Sequence, residues 1–91
     1  ETMALQILNA GTTAEDTALT MRRSIEAALP GATVDVGVNS PGHFQIRVRS
    51  AAFEGKGRVA QQQLVYRAIT HLMSGPNAPV HAVDLLECLL P

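Results

Sequence analysis

Two short runs of alternating apolar residues, separated by a turn sequence, constrain the fold of this chain most. The runs span residues 33–38 and 44–49, and their apolar members are Val34, Val36, Val38, Phe44, Ile46 and Val48. Alternation with a period of two indicates strands with one buried face. Between the runs lies Asn39-Ser40-Pro41-Gly42, in which proline fixes φ and glycine permits a positive φ. The sequence therefore predicts an antiparallel hairpin with His43 at its mouth.

Helical periodicity precedes and follows this hairpin. Residues 12–15 (Thr-Thr-Ala-Glu) have the spacing of a capping box, and Pro30-Gly31 ends the segment, which predicts a first helix between them. Its apolar stripe consists of Ala18, Met21, Ile25, Ala28 and Leu29. A loop over 50–57 leads to a second, longer helix that ends before residues 74–77. The apolar side of this helix consists of Val59, Leu64, Val65, Ala68, Ile69, Leu72 and Met73.

A third strand is predicted over residues 80–90. Apolar residues fall on both of its faces, so we expect an inner strand, with His81, Val83 and Leu85 on the core face and Cys88 on the other. The long helix between the second and third strands permits a parallel crossover. The predicted fold class is α/β, a three-stranded mixed sheet with two main helices packed on one face.

The size and composition of the chain restrict its function. Its 91 residues suit one domain over residues 12–91, preceded by a variable N-terminal arm over 1–11. The single cysteine excludes an intramolecular disulfide and an all-protein thiolate cluster site, and it fits a reducing, cytoplasmic compartment. No apolar run reaches the roughly 18–20 residues of a membrane span. A net charge of -1 and only three aromatic rings argue against nucleic-acid binding by a strong basic field or by base stacking.

Three groups of residues resemble the BolA family, and within it the IbaG-like branch. The first group is His43-Phe44, which opens the second strand, and the last is Val80-His81-Ala82-Val83. From the loop into the long helix, the matching residues are Phe53-Glu54-Gly55-Lys56, Arg58-Val59, Gln62-Gln63 and Val65-Tyr66. The groups occur in the order and spacing of the family, and the resemblance covers roughly residues 14–88, which makes it more specific than any single motif.

The resemblance implies an α/β fold related to the type II KH domain. It also implies a non-enzymatic partner of a monothiol glutaredoxin in iron-sulfur cluster assembly, trafficking or iron-dependent regulation. BolA-type proteins share a two-iron two-sulfur cluster with the glutaredoxin and its glutathione, and they contribute histidine as a ligand. The isolated chain is therefore expected to hold no cluster. The resemblance implies His81 as one ligand and makes His43 the candidate for the second. The implied partner-binding residues are Phe53, Gly55, Lys56, Arg58 and Ala82.

The sequence departs from many relatives in two places. Gln61-Gln62-Gln63 replaces an Arg-His-Arg segment, which removes positive charge from the long helix, and the sequence ends at Pro91 where relatives commonly continue with a Thr-Pro motif and a helix. An alternative function is a KH-like nucleic-acid-binding transcriptional regulator that uses the basic residues Arg47, Arg49, Lys56, Arg58 and Arg67. The Gly-x-x-Gly loop of true KH domains is missing, so weak DNA or RNA binding through a solvated basic face is the most we expect.

Each candidate residue also has a structural interpretation. A histidine on a core face is usually a hydrogen-bonded packing residue, and His43 could cap the hairpin or face solvent instead of binding metal. His71 has no family counterpart and is expected on the surface. Cys88 lies about 23 Å along the strand from His81 and is expected to be a small buried residue. No nucleophile beside a base and no paired carboxylates stand out, so catalysis is not expected. The sequence leaves the self-association of the chain open.

Overall fold

The computed structural model of the protein describes residues 13–91. Its elements in chain order are helix α1 (Ala14–Ala28), strand β1 (Thr33–Ser40), strand β2 (His43–Arg49), a short 3-10 helix (Ala51–Phe53), helix α2 (Arg58–Met73) and strand β3 (Ala82–Leu89). The predicted order of helix, strand, strand, helix and strand is confirmed. The predicted N-terminal arm lies outside the described residues.

Strand β2 is the centre of the sheet. It pairs antiparallel with β1, from Thr33 opposite Arg49 to Ser40 opposite His43, and it pairs parallel with β3. The core-facing side chains of the strands pack with those of both helices, so the predicted mixed sheet with helices on one face is confirmed. The prediction of an inner third strand was wrong, since β3 lies at an edge.

A bulge in β3 explains why its two faces are both apolar. Val83 lies opposite Phe44 and Leu85 lies opposite Gln45, so Asp84 is an extra residue at this point. A bulge of one residue exchanges the faces of the strand beyond it, because side chains alternate with a period of two. Residues on the core side are therefore Val83, Leu86 and Cys88, whereas Leu85 is 51% exposed.

Helix α1 begins one residue later than the predicted capping box. The hydroxyl of Thr13 accepts a hydrogen bond of 3.0 Å from the backbone N–H of Asp16, which satisfies one of the free N–H groups of the first turn. Met21 and Ile25 on the predicted stripe are fully buried. Within the predicted stripe only Ala28, at the end of the helix, is exposed, whereas Leu29, directly after the helix, is buried.

Helix α2 buries Val65 and Ile69 completely against the sheet. Val59 was predicted on the same side but is 66% exposed. Val59 precedes Val65 by six residues, and at about 100° per residue this spacing turns its side chain about 120° away from the buried stripe. Within residues 13–91, no helix combines the length and the apolar character that crossing a membrane requires.

The parallel pairing of β2 and β3 gives the sheet two distinct ends. We name the end where both strands begin, formed by residues 41–43 and 81–84, the histidine end. We name the opposite end, formed by residues 49–58 and 88–91, the loop end; there the N–H of Ser50 donates to the carbonyl of Leu89. The ends are roughly 20 Å apart along β2, at about 3.3 Å per residue.

Candidate functional site

The histidine end is built on the tight turn at Gly42. This glycine has a φ of +80°, which side-chain-bearing residues rarely adopt. Its carbonyl accepts hydrogen bonds from the backbone N–H groups of His81, at 2.8 Å, and of Ala82, at 3.0 Å. A Cβ atom added to Gly42 would lie 2.5 Å from Nδ1 of His81. The imidazole of His81 therefore lies directly against the turn, and glycine leaves room for it.

His81 is exposed and lies just before the first residue of β3. The prediction that it lies on the core face was wrong. Its backbone N–H bonds the turn carbonyl of Gly42, and the strand begins only at the next residue. The preceding residue, Val80, is 1% exposed and makes the core contact instead, while its N–H donates to the carbonyl of Leu72. His81 is thus an accessible imidazole on a backbone that is fixed from both sides.

His43 is the first residue of β2 and lies in register with Ala82 of β3. Its side chain is 44% exposed. The ring centroids of His43 and His81 are 6.5 Å apart, and the two rings are nearly perpendicular, at 86°. The structure therefore brings together the two histidines that the sequence nominated as metal ligands.

Two further residues, which sequence reasoning missed, surround His43. The carboxylate of Asp84 lies 3.2 Å from Nδ1 of His43 through Oδ1, and its Oδ2 accepts a hydrogen bond of 3.0 Å from the side-chain amide of Asn39. The hydrogen bond from Asn39, with a smaller contribution from His43, lowers the pKa of the Asp84 carboxyl. The one available signal in the sequence was an acidic residue inside an otherwise apolar run, Val83-Asp84-Leu85-Leu86.

The predicted partner-binding residues divide between the two ends. Ala82 lies at the histidine end, whereas Gly55, Lys56 and Arg58 are exposed at the loop end, roughly 20 Å away along the sheet. Phe53 was predicted at the partner surface, but its ring is 0% exposed and belongs to the core. Phe53 therefore anchors the loop and offers no surface for direct contact.

The five basic residues nominated for nucleic-acid binding do not share one surface. Arg47 lies on the open face of the sheet with its Nε 2.7 Å from Oε1 of Glu87, a hydrogen bond that raises the pKa of the guanidinium. Arg49 donates through Nη1 to the carbonyl of Leu90 at 2.8 Å. Arg67 belongs to α2, which packs on the opposite face of the sheet. The positive charge is therefore divided between two faces, and part of it is paired.

The remaining nominated side chains lie away from the histidine pair. His71 is exposed in the last turn of α2, as predicted. Cys88 is a free thiol that packs against the core and is only partly buried, less than the sequence suggested. Burial raises the pKa of this thiol, so at neutral pH it is held in the protonated form, which is a poor metal ligand.

Comparison with known proteins identifies the fold. The chain matches the family described as BolA-like protein over residues 18–87. In structure it is similar to the XC975 protein, with 39% sequence identity and a TM-score of 0.56, covering 81% of this chain and 88% of that one. Among curated proteins, no sequence match was found.

Two more solved structures agree with this result. A bol-like protein from Babesia bovis is 27% identical, with a TM-score of 0.63, and the match covers 81% of this chain and 84% of that one. A bolA protein homologue from Coxiella burnetii is 26% identical, with a TM-score of 0.62 and coverage of 86% and 91%. The family match covers most of the chain and reaches into all three strands, and these structures share its two helices and mixed sheet. The chain therefore belongs to the BolA family.

Proposed function

We propose that this chain is a non-enzymatic partner of a monothiol glutaredoxin in iron-sulfur cluster assembly, trafficking or iron-dependent regulation. In this proposal the two proteins form a heterodimer and share a two-iron two-sulfur cluster. His81 is the principal ligand from this chain and His43 is the second, while thiolates of the glutaredoxin and of glutathione complete the cluster. Within the BolA family, Gln61-Gln62-Gln63 favours the IbaG-like branch.

The observation that carries this proposal is the pair of imidazoles at the histidine end. Two accessible rings, 6.5 Å apart at their centroids, come from the first residue of β2 and from the residue that precedes β3, and they converge at one end of the sheet. One of them, His81, belongs to Val80-His81-Ala82-Val83, one of the three groups of residues that carry the family resemblance. Its exposure supports a ligand that another protein can reach.

The residues at this end suit such a cluster chemically. Neutral imidazole is a ligand for iron, and it adds no negative charge to an assembly that already holds thiolates. A bound cluster would supply the redox and transfer chemistry, and histidine in place of cysteine raises its reduction potential. The function of this chain is then to present ligands and orient them rather than to catalyse a reaction.

A mixing experiment tests the proposal. The chain is combined under anaerobic conditions with a monothiol glutaredoxin, glutathione, iron and sulfide, and visible absorption and circular dichroism are recorded. We expect a spectrum different from that of the glutaredoxin with its own cluster. His81→Ala should abolish the difference, and His43→Ala should alter the spectrum.

His71→Ala is the matched control, because this histidine is also exposed but lies on α2. It should leave the spectrum of the mixture unchanged. Far-ultraviolet circular dichroism of each variant alone verifies that the fold is intact. A mixture whose spectrum equals the sum of its parts, or a His81→Ala variant that behaves like the wild type, would contradict the proposal.

A further inference from the structure

Irregular positions in the two outer strands lie on either side of the start of β2. In β1 the register shifts between Val38 and Ser40, which places Asn39 between two paired positions. In β3 the bulge makes Asp84 the extra residue. Bulges occur where a strand re-aims a side chain, and both of these residues extend their side chains toward one locus beside His43.

The carboxylate of Asp84 connects the three side chains. Its Oδ2 accepts a hydrogen bond of 3.0 Å from Nδ2 of Asn39, and its Oδ1 lies 3.2 Å from Nδ1 of His43. Each carboxylate oxygen therefore has its own partner, one from β1 and one from β2. An aspartate carboxyl is ionised at neutral pH, and in that form both of its oxygens accept hydrogen bonds.

This contact determines which nitrogen of His43 carries the proton. An ionised carboxylate only accepts hydrogen bonds, and in a neutral imidazole one nitrogen donates while the other accepts. Nδ1 of His43 must therefore be the donor to Asp84, which leaves the lone pair on Nε2. Histidines that bind metals generally have this arrangement, with the second ring nitrogen donating to a carboxylate or a carbonyl.

Stability alone does not account for the arrangement. The side chains of His43 and Asp84 are 44% and 41% exposed, and a polar contact this open to solvent contributes little to folding, since even exposed ion pairs do. A bulge in an edge strand that positions such a pair is better explained by the orientation it gives to the imidazole.

We propose that Asp84, held by Asn39, is a positioning residue that fixes the ring of His43 with Nδ1 protonated and Nε2 free to bind metal. This inference rests on the proposed function, in which His43 is the second ligand from this chain. It assigns a role in that function to Asp84 and Asn39 and specifies the tautomer of His43.

The first test uses the isolated chain and needs no partner. Long-range proton–nitrogen NMR of the labelled protein, at a pH where imidazoles are neutral, reports the tautomer of each histidine. We expect His43 of the wild type to carry its proton on Nδ1. Asp84→Asn should shift His43 toward the other tautomer, because an amide can donate as well as accept. Asp84→Glu, which retains the carboxylate, should restore part of the Nδ1 form.

The matched control is Asp35→Asn. Asp35 is an exposed carboxylate on β1 that lies opposite Arg47, away from the histidine end. This variant should leave the tautomer of His43 unchanged. A wild-type His43 with its proton on Nε2, or an Asp84→Asn variant with the wild-type tautomer, would overturn the inference.

The second test uses the complex with the glutaredoxin. Loss of the cluster to a chelator is timed for the wild type, Asp84→Asn, His43→Ala and the double variant. Asp84→Asn should weaken retention of the cluster roughly 10- to 100-fold, the usual effect of removing a partner of a metal-bound histidine. The double variant should be no worse than His43→Ala alone, because Asp84 acts through that ring.

The outcomes separate the two proposals. If His81→Ala destroys the cluster spectrum while Asp84→Asn retains the cluster like the wild type, the proposed function stands and the positioning role is overturned. Additional loss in the double variant would also overturn it, since Asp84 would then act independently of His43. If mixing produces no shared cluster at all, the proposed function fails and the metal role of Asp84 fails with it.

Discussion

At the histidine end of the sheet the chain exposes polar side chains on a fixed backbone, whereas at the loop end it buries the ring of Phe53 and exposes the short loop that follows. His43, His81 and Asp84 are all accessible, and their neighbours Gly42 and Val80 hold the backbone under them. At the loop end Phe53 is completely buried, and the exposed residues 54–58 follow it. Both ends belong to the family resemblance, yet they contribute to the protein in different ways.

This difference indicates that some residues of a family motif stabilise the fold, whereas others provide side chains for binding. Phe53 is part of the motif because it completes the core beneath the loop. His81 belongs to another part of the motif. Its side chain is exposed, so it adds little buried surface to stabilise the fold. Substitutions at the two ends should therefore separate the folding of the chain from its proposed partnership.

The largest expected effect is on stability, at the loop end. Phe53→Ala removes a fully buried ring and should lower the free energy of unfolding by about 3–5 kcal/mol. His81→Ala changes an exposed side chain and should shift it by no more than about 0.5 kcal/mol. Urea denaturation followed by circular dichroism measures both variants. If His81→Ala destabilised the protein as much as Phe53→Ala, the histidine end would be structural and the comparison would fail.

The sequence predicted the elements and the motif residues well, and it failed where the strands are irregular. The hairpin, both helices and the parallel crossover follow from local periodicity and turn chemistry, which depend on neighbouring residues only. The bulge at Asp84 exchanges the faces of β3 through a pairing with β2 that the order of its residues does not specify. For this reason the exposure of Leu85 and the contacts of Asp84 could not be predicted. The exposure of His81 follows from the hydrogen bond of its backbone N–H to the carbonyl of Gly42, and the contact of Asn39 follows from the register shift in β1. Local periodicity specifies neither of these.

The next largest effect is expected from substituting alanine for one glycine at each end of the sheet. Gly42 and Gly55 both have positive φ, +80° and +76°. A Cβ at Gly42 meets the ring of His81, whereas at Gly55 it meets nothing within 4 Å. Each glycine-to-alanine substitution should cost about 1–2 kcal/mol from the backbone conformation alone. Only Gly42→Ala should also displace His81 and weaken the cluster spectrum of the mixed complex.

The two glycine variants control each other, because they share the backbone cost and differ in the side chain they meet. Urea denaturation measures the loss of folding stability that both variants share. Visible circular dichroism of the proposed complex with glutaredoxin measures the effect on the cluster, which should differ between them. Equal cluster spectra for Gly42→Ala and Gly55→Ala would mean that the position of His81 against the turn does not matter.

A smaller effect concerns the single thiol of the chain, Cys88, which belongs to the loop end. Burial raises the pKa of Cys88 above its ordinary value, so the folded protein favours the protonated thiol. The thiol should react with an alkylating reagent more slowly in the folded protein than in urea. Folding should lose stability as the pH rises from the ordinary thiol pKa through the raised one, and Cys88→Ala should not show this loss. Equal reaction rates in the folded and unfolded protein would show instead that folding neither protects the thiol nor raises its pKa.

The smallest effect is expected from the exposed cations of the loop end. Lys56 and Arg58 lie roughly 20 Å from the histidines, so in the proposed complex they would contact the glutaredoxin only at the rim of the interface. Charges at a rim change the association rate and its salt dependence more than the bound state. The double variant Lys56→Ala, Arg58→Ala should therefore slow association at low salt, with little difference at high salt, and leave the cluster spectrum unchanged. Stopped-flow mixing at several salt concentrations measures the rate.

If the double variant altered the cluster spectrum instead, the loop would reach the metal site, and the two ends would act as one surface in the complex.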